Sequence, residues 1–168
     1  VNIGQLELVK GRRVLVCDGI SDPGNLGTLF RSALAFGFPV VTVCGESADA
    51  YAPKTVRASV GAVFGLTIVE ADANEVLQCL TRNKIILLAA EAGGKPLSSV
   101  TVHLQKRAAS ALAVGSEARG LSTEIRKASV YSVGISHEST AEALNAAGSG
   151  PMLMKGIDEL CQGTPTRS

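Results

Sequence analysis

Short apolar runs alternate with segments of helical pattern, and this alternation restricts the fold more than any other feature of the sequence. The runs are apolar on both faces, which is typical of strands buried in a parallel sheet. We predict strands at 12–17, 40–44, 66–70, 85–90, 110–115 and 130–135, and helices at about 26–36, 53–60, 74–82 and 141–160, with a short turn after Gly120. The pattern predicts one α/β domain with a mostly parallel sheet flanked by helices.

The bulk composition suits a single buried core. The chain has 168 residues, of which 46% are hydrophobic and 18% charged, enough for one sizeable core. No apolar stretch approaches the roughly 20 residues that cross a bilayer, and the first residues lack the apolar centre of a signal peptide, so we expect a cytoplasmic protein. The four cysteines are far apart without a C-x-x-C pair, so we expect neither disulfides nor a metal site.

The charge balance argues against one class of nucleic-acid binder. A net charge of +1 does not suit a polybasic protein, because that mode of binding needs many phosphate contacts. A local basic patch is still compatible with this charge. Its candidate members are Lys10, Arg12, Arg13, Lys54, Arg57, Lys106, Arg107, Arg126 and Lys127.

The stretch DPGNLGTLFR, residues 22–31, joins the first predicted strand to the first helix and allows two interpretations. In one, its glycines approach a phosphate, as in a dinucleotide-binding fold. In the other, the functional groups are Asn25 and Arg31, and the glycines only let the chain bend. The two interpretations predict different proteins.

The dinucleotide interpretation has partial support. Gly24 and Gly27 open a helix after a strand, and Glu46 follows the second strand, where an acid would bind ribose hydroxyls. The G-x-G-x-x-G template needs glycine at position 22, where this chain has Asp22. An NAD-binding Rossmann oxidoreductase therefore stays an alternative. It would leave two later segments rich in glycine and polar residues, 115–122 and 134–150, without a function.

Those later segments lie in the stretches 111–122 and 133–157, each of which begins as a predicted strand and breaks into small and polar residues, where ligand sites form in open α/β sheets. With residues 22–31 they resemble the catalytic domain of the SpoU (TrmH-like) RNA 2′-O-ribose methyltransferases of the SPOUT superfamily. The matching motifs are Asn25, Gly27 and Arg31; then Gly115, Glu117 and Gly120; and last Leu144 and Asn145. The resemblance covers essentially the whole chain. Ala143 departs from it, because the family commonly has serine there.

The resemblance implies a deep C-terminal trefoil knot and S-adenosylmethionine as the cofactor, with no metal. The positions similar to the family's cofactor contacts are Gly115, Ile135 and Leu144. Glycine and alanine suit such a site, because two backbone segments pass close to each other around a bent cofactor and leave no room for larger side chains.

The resemblance also implies that Arg31 activates the ribose 2′-hydroxyl. A guanidinium is a poor base, so we predict that Arg31 stabilises the developing alkoxide and binds the adjacent phosphate. Asn25, Glu117 and Asn145 complete the predicted catalytic set. We expect Asn25 to cap the first helix or contact substrate, Glu117 to orient Arg31 or backbone amides, and Asn145 to fix loop geometry.

The domain and partner predictions follow from the same resemblance. Residues 1–11 resemble the end of a linker to an RNA-binding domain, and 12–168 form the catalytic domain. We expect a homodimer with Met152, Leu153 and Ile157 partly in the interface. Ribosomal RNA of the 23S type is the predicted substrate, and transfer RNA is the alternative. An alternative function is that of a protein that binds RNA without methylating it, although Arg31 and the cofactor loops are intact in this chain.

Overall fold

A computed structural model describes residues 12–101, 104, 109–135 and 146–162. The strands are β1 (Val14–Asp18), β2 (Val40–Cys44), β3 (Thr67–Glu70), β4 (Ile86–Pro96), β5 (Ser110–Gly115) and β6 (Tyr131–Gly134). The α-helices are α1 (Pro23–Ala35), α2 (Pro53–Ala58), α3 (Ala73–Arg82), α4 (Thr123–Ala128) and α5 (Ala146–Gln162), and short 3₁₀ helices cover Ala62–Gly65 and Leu97–Val100.

The described strands form one parallel sheet in the order β3-β2-β1-β5-β4-β6. β1 is central: Asp18 pairs with Cys44 of β2 on one side and with Gly115 of β5 on the other. A Rossmann sheet would have its fourth strand beside the first, whereas here β5 holds that place. The predicted parallel α/β sheet is confirmed, with a strand order different from that of the dinucleotide-binding fold.

Helices cover both faces of the sheet because the strands are apolar on both faces. Along β1, Leu15 and Cys17 pack in a cluster with residues of α1 and α5, whereas Val14 and Val16 pack in a cluster with residues of α3 and α4. This alternation follows the two-residue period of a strand. No helix in the described parts of the chain is long and apolar enough to cross a membrane.

β4 is longer than the predicted strand 85–90. Its pairing with β6 shifts register between Ala90 and Lys95 and then resumes, so that Lys95 pairs with Val133. Gly94 permits the close approach, because a side chain there would collide with the backbone of Val133. The residues from Glu91 to Pro96, which lie beyond the predicted strand, are therefore part of the sheet.

The helix ends follow local signals, although several bounds differ from the prediction; for example, α2 ends at Ala58 rather than 60, and α5 extends to Gln162 rather than 160. α1 ends before Gly37, whose φ is +69°, as predicted, but it begins at Pro23 rather than near residue 26. The predicted turn after Gly120 leads into the short helix α4. Of the predicted last helix, residues 141–145 lie outside the described part.

Helix α5 is tied to the sheet by a half-buried ion pair. Arg13 Nη1 lies 2.7 Å from Asp158 Oδ1, and the two side chains are 19% and 16% exposed. The Arg13 guanidinium also lies 5.4 Å from the centre of the Phe38 ring. Arg13 is therefore a structural residue rather than a member of an exposed basic patch.

Candidate active site

The carboxyl ends of β1, β2 and β5 meet at one edge of the sheet, and the loops that follow them enclose a cleft of about 620 Å³. Its lining includes Asp18, Asp22, Asn25, Glu46, Glu117, Arg119 and Ser122. Ligands of open α/β sheets bind at this edge. Two of the predicted catalytic residues, Asn25 and Glu117, thus lie in the wall of one cavity.

The loop after β1 orients the first turn of α1. Asp22 is the N-cap residue: its Oδ1 accepts a hydrogen bond of 2.8 Å from Asn25 N, and its Oδ2 lies 3.2 Å from Lys54 Nζ. The Asn25 amide and then Lys54 lower the pKa of Asp22 below its ordinary value. The expectation that Asn25 caps the helix is wrong, because Asp22 occupies that position and leaves the Asn25 side chain to point into the cleft.

The Asn25 side chain joins the first two motifs. Asn25 Nδ2 donates a hydrogen bond of 2.6 Å to Glu117 Oε1, across 92 residues of sequence. Glu117 was expected to orient Arg31 or backbone amides, but its described partner is the Asn25 side chain. The contact fixes the start of α1 relative to the loop after β5.

Arg31 lies outside this contact. Six residues along a helix correspond to about 9 Å of rise and about 600° of rotation, so Arg31 and Asn25 occupy different faces of α1. Arg31 is exposed and makes no hydrogen bond or ion pair with any residue that the structure describes. It is not part of the cleft wall. The N-x-G…R spacing does not bring its two polar side chains together within this chain.

The loop after β5 is tightly folded around two glycines. Gly120 N donates to the Ser116 carbonyl at 2.8 Å, and Gly120 has a φ of +69°. A side chain at Gly115 would collide with the backbone of Gly120 and Leu121. The spacing of the two glycines in G-x-E-x-x-G therefore has a steric cause, and the turn holds Glu117 at the rim of the cleft.

Asp18 is a site residue that the sequence reasoning missed. It is only 4% exposed, and its Oδ2 accepts a hydrogen bond of 2.6 Å from Ser122 N. The bond ties the end of β1 to the loop after β5. The signal that would have found it is a carboxylate placed directly after a buried strand, at the edge where parallel sheets bind ligands.

The buried thiols near Asp18 are not reactive groups. Burial, followed by the charge of Asp18, raises the pKa of Cys44 to about 12, and burial also raises the pKa of Cys17. Both therefore stay protonated, and thiols in that state are poor nucleophiles and metal ligands. The described ranges contain no group of His, Cys, Asp and Glu side chains placed to hold a metal ion.

A second crowded region lies on the other side of β5, where β4 and β6 end. A side chain at Gly134 would lie 2.7 Å from the Glu91 carbonyl oxygen. Glu91 is held by Arg126, with Nε 2.6 Å from Oε1, and by the Ser132 hydroxyl at 2.8 Å. Ile135 is half-buried against the core. Of the predicted cofactor residues, Ile135 borders this region, whereas Gly115 lies at the end of β5 against the backbone of Gly120 and Leu121. Leu144, like the catalytic candidate Asn145, lies outside the described residues.

The sequence profile of the SpoU rRNA Methylase family matches residues 12–155. The chain belongs to this family. The match includes every motif residue that carried the resemblance, so the SpoU-family prediction made from the sequence is confirmed.

Curated relatives of this SpoU-family chain are ribosomal RNA methyltransferases. It is 32% identical over 136 residues to the 23S rRNA (uridine(2479)-2′-O)-methyltransferase of Streptomyces viridochromogenes. The aligned region covers 77% of this chain and 46% of the relative. It is 29% identical over 142 residues to the 23S rRNA (guanosine(2553)-2′-O)-methyltransferase of Bacillus subtilis, with 84% and 56% covered. The chain thus spans about half the length of these relatives.

Solved structures of SpoU-family proteins share the fold. The SpoU methyltransferase AviRb from Streptomyces viridochromogenes, in complex with the cofactor AdoMet, matches with a TM-score of 0.80 and 28% identity over 92% of this chain and 63% of that chain. A second crystal structure of the same protein matches with a TM-score of 0.82 and 27% identity, over 94% of this chain and 64% of that chain.

Proposed function

We propose that this chain transfers a methyl group from S-adenosylmethionine to a ribose 2′-hydroxyl of ribosomal RNA of the 23S type. The observation that carries the proposal is the Asn25–Glu117 hydrogen bond, which unites two SpoU motifs at the ligand-binding edge of the sheet. The names of the two curated relatives support both the reaction and the RNA class.

The residues on the β4 and β6 side of Gly115 fit the cofactor. Gly115 and Gly134 let backbone segments pass in close contact, since a side chain at either would collide with neighbouring backbone, and this packing fixes the ends of β5 and β6. Ile135 adds a half-buried apolar surface, and we propose Leu144 as a second apolar wall for the adenine. When bound there, S-adenosylmethionine supplies a methyl group attached to a positively charged sulfur.

The proposed catalytic roles follow from side-chain chemistry. Arg31 stabilises the alkoxide that develops on the 2′-oxygen and binds the adjacent phosphate, whose oxygen accepts the hydroxyl proton. Asn25 and Glu117, through their shared hydrogen bond, hold the start of α1, the helix that carries Arg31, against the loop after β5. Asn145 fixes the loop that leads into α5. The exposure of Arg31 leaves its guanidinium open to an RNA phosphate.

The same loop argues against a dinucleotide site. In a Rossmann fold the pyrophosphate lies at the N-terminus of the first helix. In this chain the Asp22 carboxylate accepts the Asn25 N–H there, and its negative charge would repel a phosphate. The strand order differs as well.

The proposal includes a trefoil knot near the C-terminus, a homodimer and a cytoplasmic location. Support for the knot is the path of the chain: α5 returns to pack on α1 and β5, with Gly150 against Leu29 and Val114.

Met152 is 53% exposed and is available for a dimer interface. Leu153 and Ile157 are 2% and 0% exposed, because they pack in the core of their own chain. Light scattering should give twice the monomer mass; a monomer with full activity would contradict the dimer.

The domain organisation is a further part of the proposal. Residues 12–168 form the catalytic domain, and residues 1–11, which lie outside the described part, connect it to an RNA-binding domain. The extent of the family match, residues 12–155, supports this boundary.

The decisive experiment is methyl transfer from radiolabelled S-adenosylmethionine to purified ribosomal RNA and, separately, to transfer RNA. Mass spectrometry then locates the methylated ribose. Labelling of transfer RNA alone would show that the substrate is transfer RNA and not ribosomal RNA. RNA binding without labelling would show that the protein is a non-catalytic RNA binder. Calorimetry with S-adenosylmethionine and with NAD is the matched cofactor test: binding of NAD alone would overturn the proposal.

A further inference from the structure

Glu91 lies where β4, β5 and β6 reach the ligand-binding edge of the sheet. β4 lies between the other two strands, and Ala90 pairs with Val114 of β5 on one side and with Val133 of β6 on the other. Glu91 follows Ala90 at the level where β5 ends, and its carbonyl oxygen lies 2.7 Å from the Cβ position of Gly134. Parallel sheets bind ligands at this edge.

Both carboxylate oxygens of Glu91 have partners. Arg126 Nε lies 2.6 Å from Oε1, and Ser132 Oγ donates a hydrogen bond of 2.8 Å to Oε2. Arg126 belongs to α4 and Ser132 to β6, so the carboxylate joins β4 to both elements. Such charge-assisted hydrogen bonds are strong and fix the carboxylate in one orientation.

The Arg126 guanidinium also reaches the loop after β5. Its Nη2 lies 3.3 Å from the point that a Cβ of Gly120 would occupy, and Gly120 closes the turn that packs on Gly115. The preceding residue, Ile125, is 0% exposed and anchors α4 in the core. One side chain therefore contacts the loop after β5 and, through Glu91, joins that loop to β4 and β6.

The exposure of the pair indicates a geometric rather than a stabilising role. The Arg126 and Glu91 side chains are 55% and 25% exposed, and ion pairs in contact with solvent contribute little to folding. Arg126 was a candidate member of a basic patch, but its Nε is engaged by Glu91. A planar guanidinium can serve two partners in fixed directions, which an ammonium cannot do.

We propose that Arg126 is a positioning residue for S-adenosylmethionine: by contacting Glu91 and Gly120 it holds the ends of β4, β5 and β6 in the arrangement that admits the cofactor. Binding sites need such supporting contacts behind the groups that touch the ligand. Arg126 acts through its neighbours and not on the reacting atoms. The inference rests on the proposed function, because it assigns a further residue to the proposed cofactor site.

The test is calorimetry with S-adenosylhomocysteine, which gives both the affinity and the fraction of protein that binds. Arg126→Ala should weaken the affinity about tenfold, within the range for coupled residues of one network, without lowering the bound fraction or the thermal midpoint. Arg126→Lys should fall between the parent and Arg126→Ala, because an ammonium can pair with Glu91 but lacks the fork that also reaches Gly120. Lys127→Ala is the matched control, since it removes an exposed cation from the same helix, and its affinity should be parental.

Two further measurements separate positioning from a general loss of structure. The double variant Glu91→Ala with Arg126→Ala should bind no more weakly than the weaker single variant, because both changes break one network. Hydrogen exchange of the ligand-free chain gives a readout that needs no cofactor. Residues 115–122 and 131–134 should exchange faster in Arg126→Ala than in Lys127→Ala, because their shared contact is lost.

The outcomes distinguish this inference from the proposed function. Parental affinity in Arg126→Ala, or in Arg126→Lys if the alanine variant does not fold, would overturn the positioning role and leave the proposed methyltransferase intact. An equal loss in Lys127→Ala would also overturn it, because the loss would then come from net charge. A lower bound fraction at parental affinity would show that Arg126 only stabilises the fold. No binding of S-adenosylhomocysteine by the parent would overturn both proposals.

Discussion

Asn25 Nδ2 lies 2.6 Å from Glu117 Oε1, and this hydrogen bond joins the start of α1 to the loop after β5. Glu117 is exposed and Asn25 is half-buried. A hydrogen bond in such a setting adds only about 1 kcal/mol to stability. Its main consequence is geometric, because it holds two loops at the mouth of the cleft in one arrangement.

We expect Asn25→Ala and Glu117→Ala each to lower the rate of methyl transfer by about 10- to 100-fold, the scale of losing a positioning contact. Because the two side chains act through one bond, the double variant should be no slower than the slower single variant. The thermal midpoints should change little. Rates that multiply in the double variant would show that the residues act independently.

Arg31→Ala should abolish methyl transfer and leave the affinity for S-adenosylmethionine nearly unchanged. Arg31→Lys retains the charge but not the planar guanidinium, so its rate should stay on the order of 100-fold below the parent, or about 3 kcal/mol in the transition state. Single-turnover rates and calorimetry measure the two quantities. Arg82→Ala, which removes an exposed arginine of α3, is the control. A parental rate in Arg31→Ala would exclude Arg31 from catalysis.

Gly115→Ala should weaken cofactor binding strongly, because the new methyl group would collide with the backbone of Gly120 and Leu121. The loop can accommodate it only by moving away from β5. Gly65→Ala is the matched control, since the added methyl group there lies 3.2 Å from the flexible end of Leu34. Calorimetry with S-adenosylhomocysteine should find near-parental affinity in the control alone. Equal affinities in both variants would contradict the proposed cofactor position.

Asp22→Ala should lower the free energy of unfolding at neutral pH by about 1 kcal/mol, the usual value of an N-cap. The pKa of Asp22 is lowered in the folded state by the Asn25 amide and then by Lys54. The part of its stabilisation that depends on charge is therefore present above the ordinary carboxyl pKa and is lost as the pH falls through the lowered pKa.

Urea unfolding across an acid pH series measures this difference. The gap between the parent and Asp22→Ala should narrow in acid. Asp22→Asn keeps a capping side chain without a titrating group, so its own capping contribution should not change with pH. A gap between parent and Asp22→Ala that is the same at every pH would show that the charge of Asp22 has no effect on stability.

The strand pattern was predictable because buried parallel strands have a strong apolar signal. The residues at 40–44 and 110–115 form β2 and β5 with the predicted bounds. Pro53 and Gly37 marked a helix start and a helix end correctly, because each acts through its own backbone geometry. The extension of β4 was not predictable, since it depends on pairing with Val133 of β6.

Site geometry was less accessible from the sequence than the identity of the motifs. Asn25 and Glu117 were identified as separate candidates, but a contact across 92 residues depends on the strand order, which places β5 beside β1. The roles of Asp22 as the cap and Asp18 as the tie to Ser122 also depend on tertiary contacts. The placement of Arg31 and Asn25 on different faces of α1 follows from helix geometry and was available from the six-residue spacing itself.

The central position of β5 determines the order in which the sheet is completed during synthesis. β1 and β2 leave the ribosome early, but the edge of β1 that pairs with residues 111–115 stays open until β5 has been made. Pairing between such distant segments is slow, and an open apolar strand edge favours aggregation. Until β5 is available, the strand Val14–Asp18 can have only one neighbour in the sheet, which is β2.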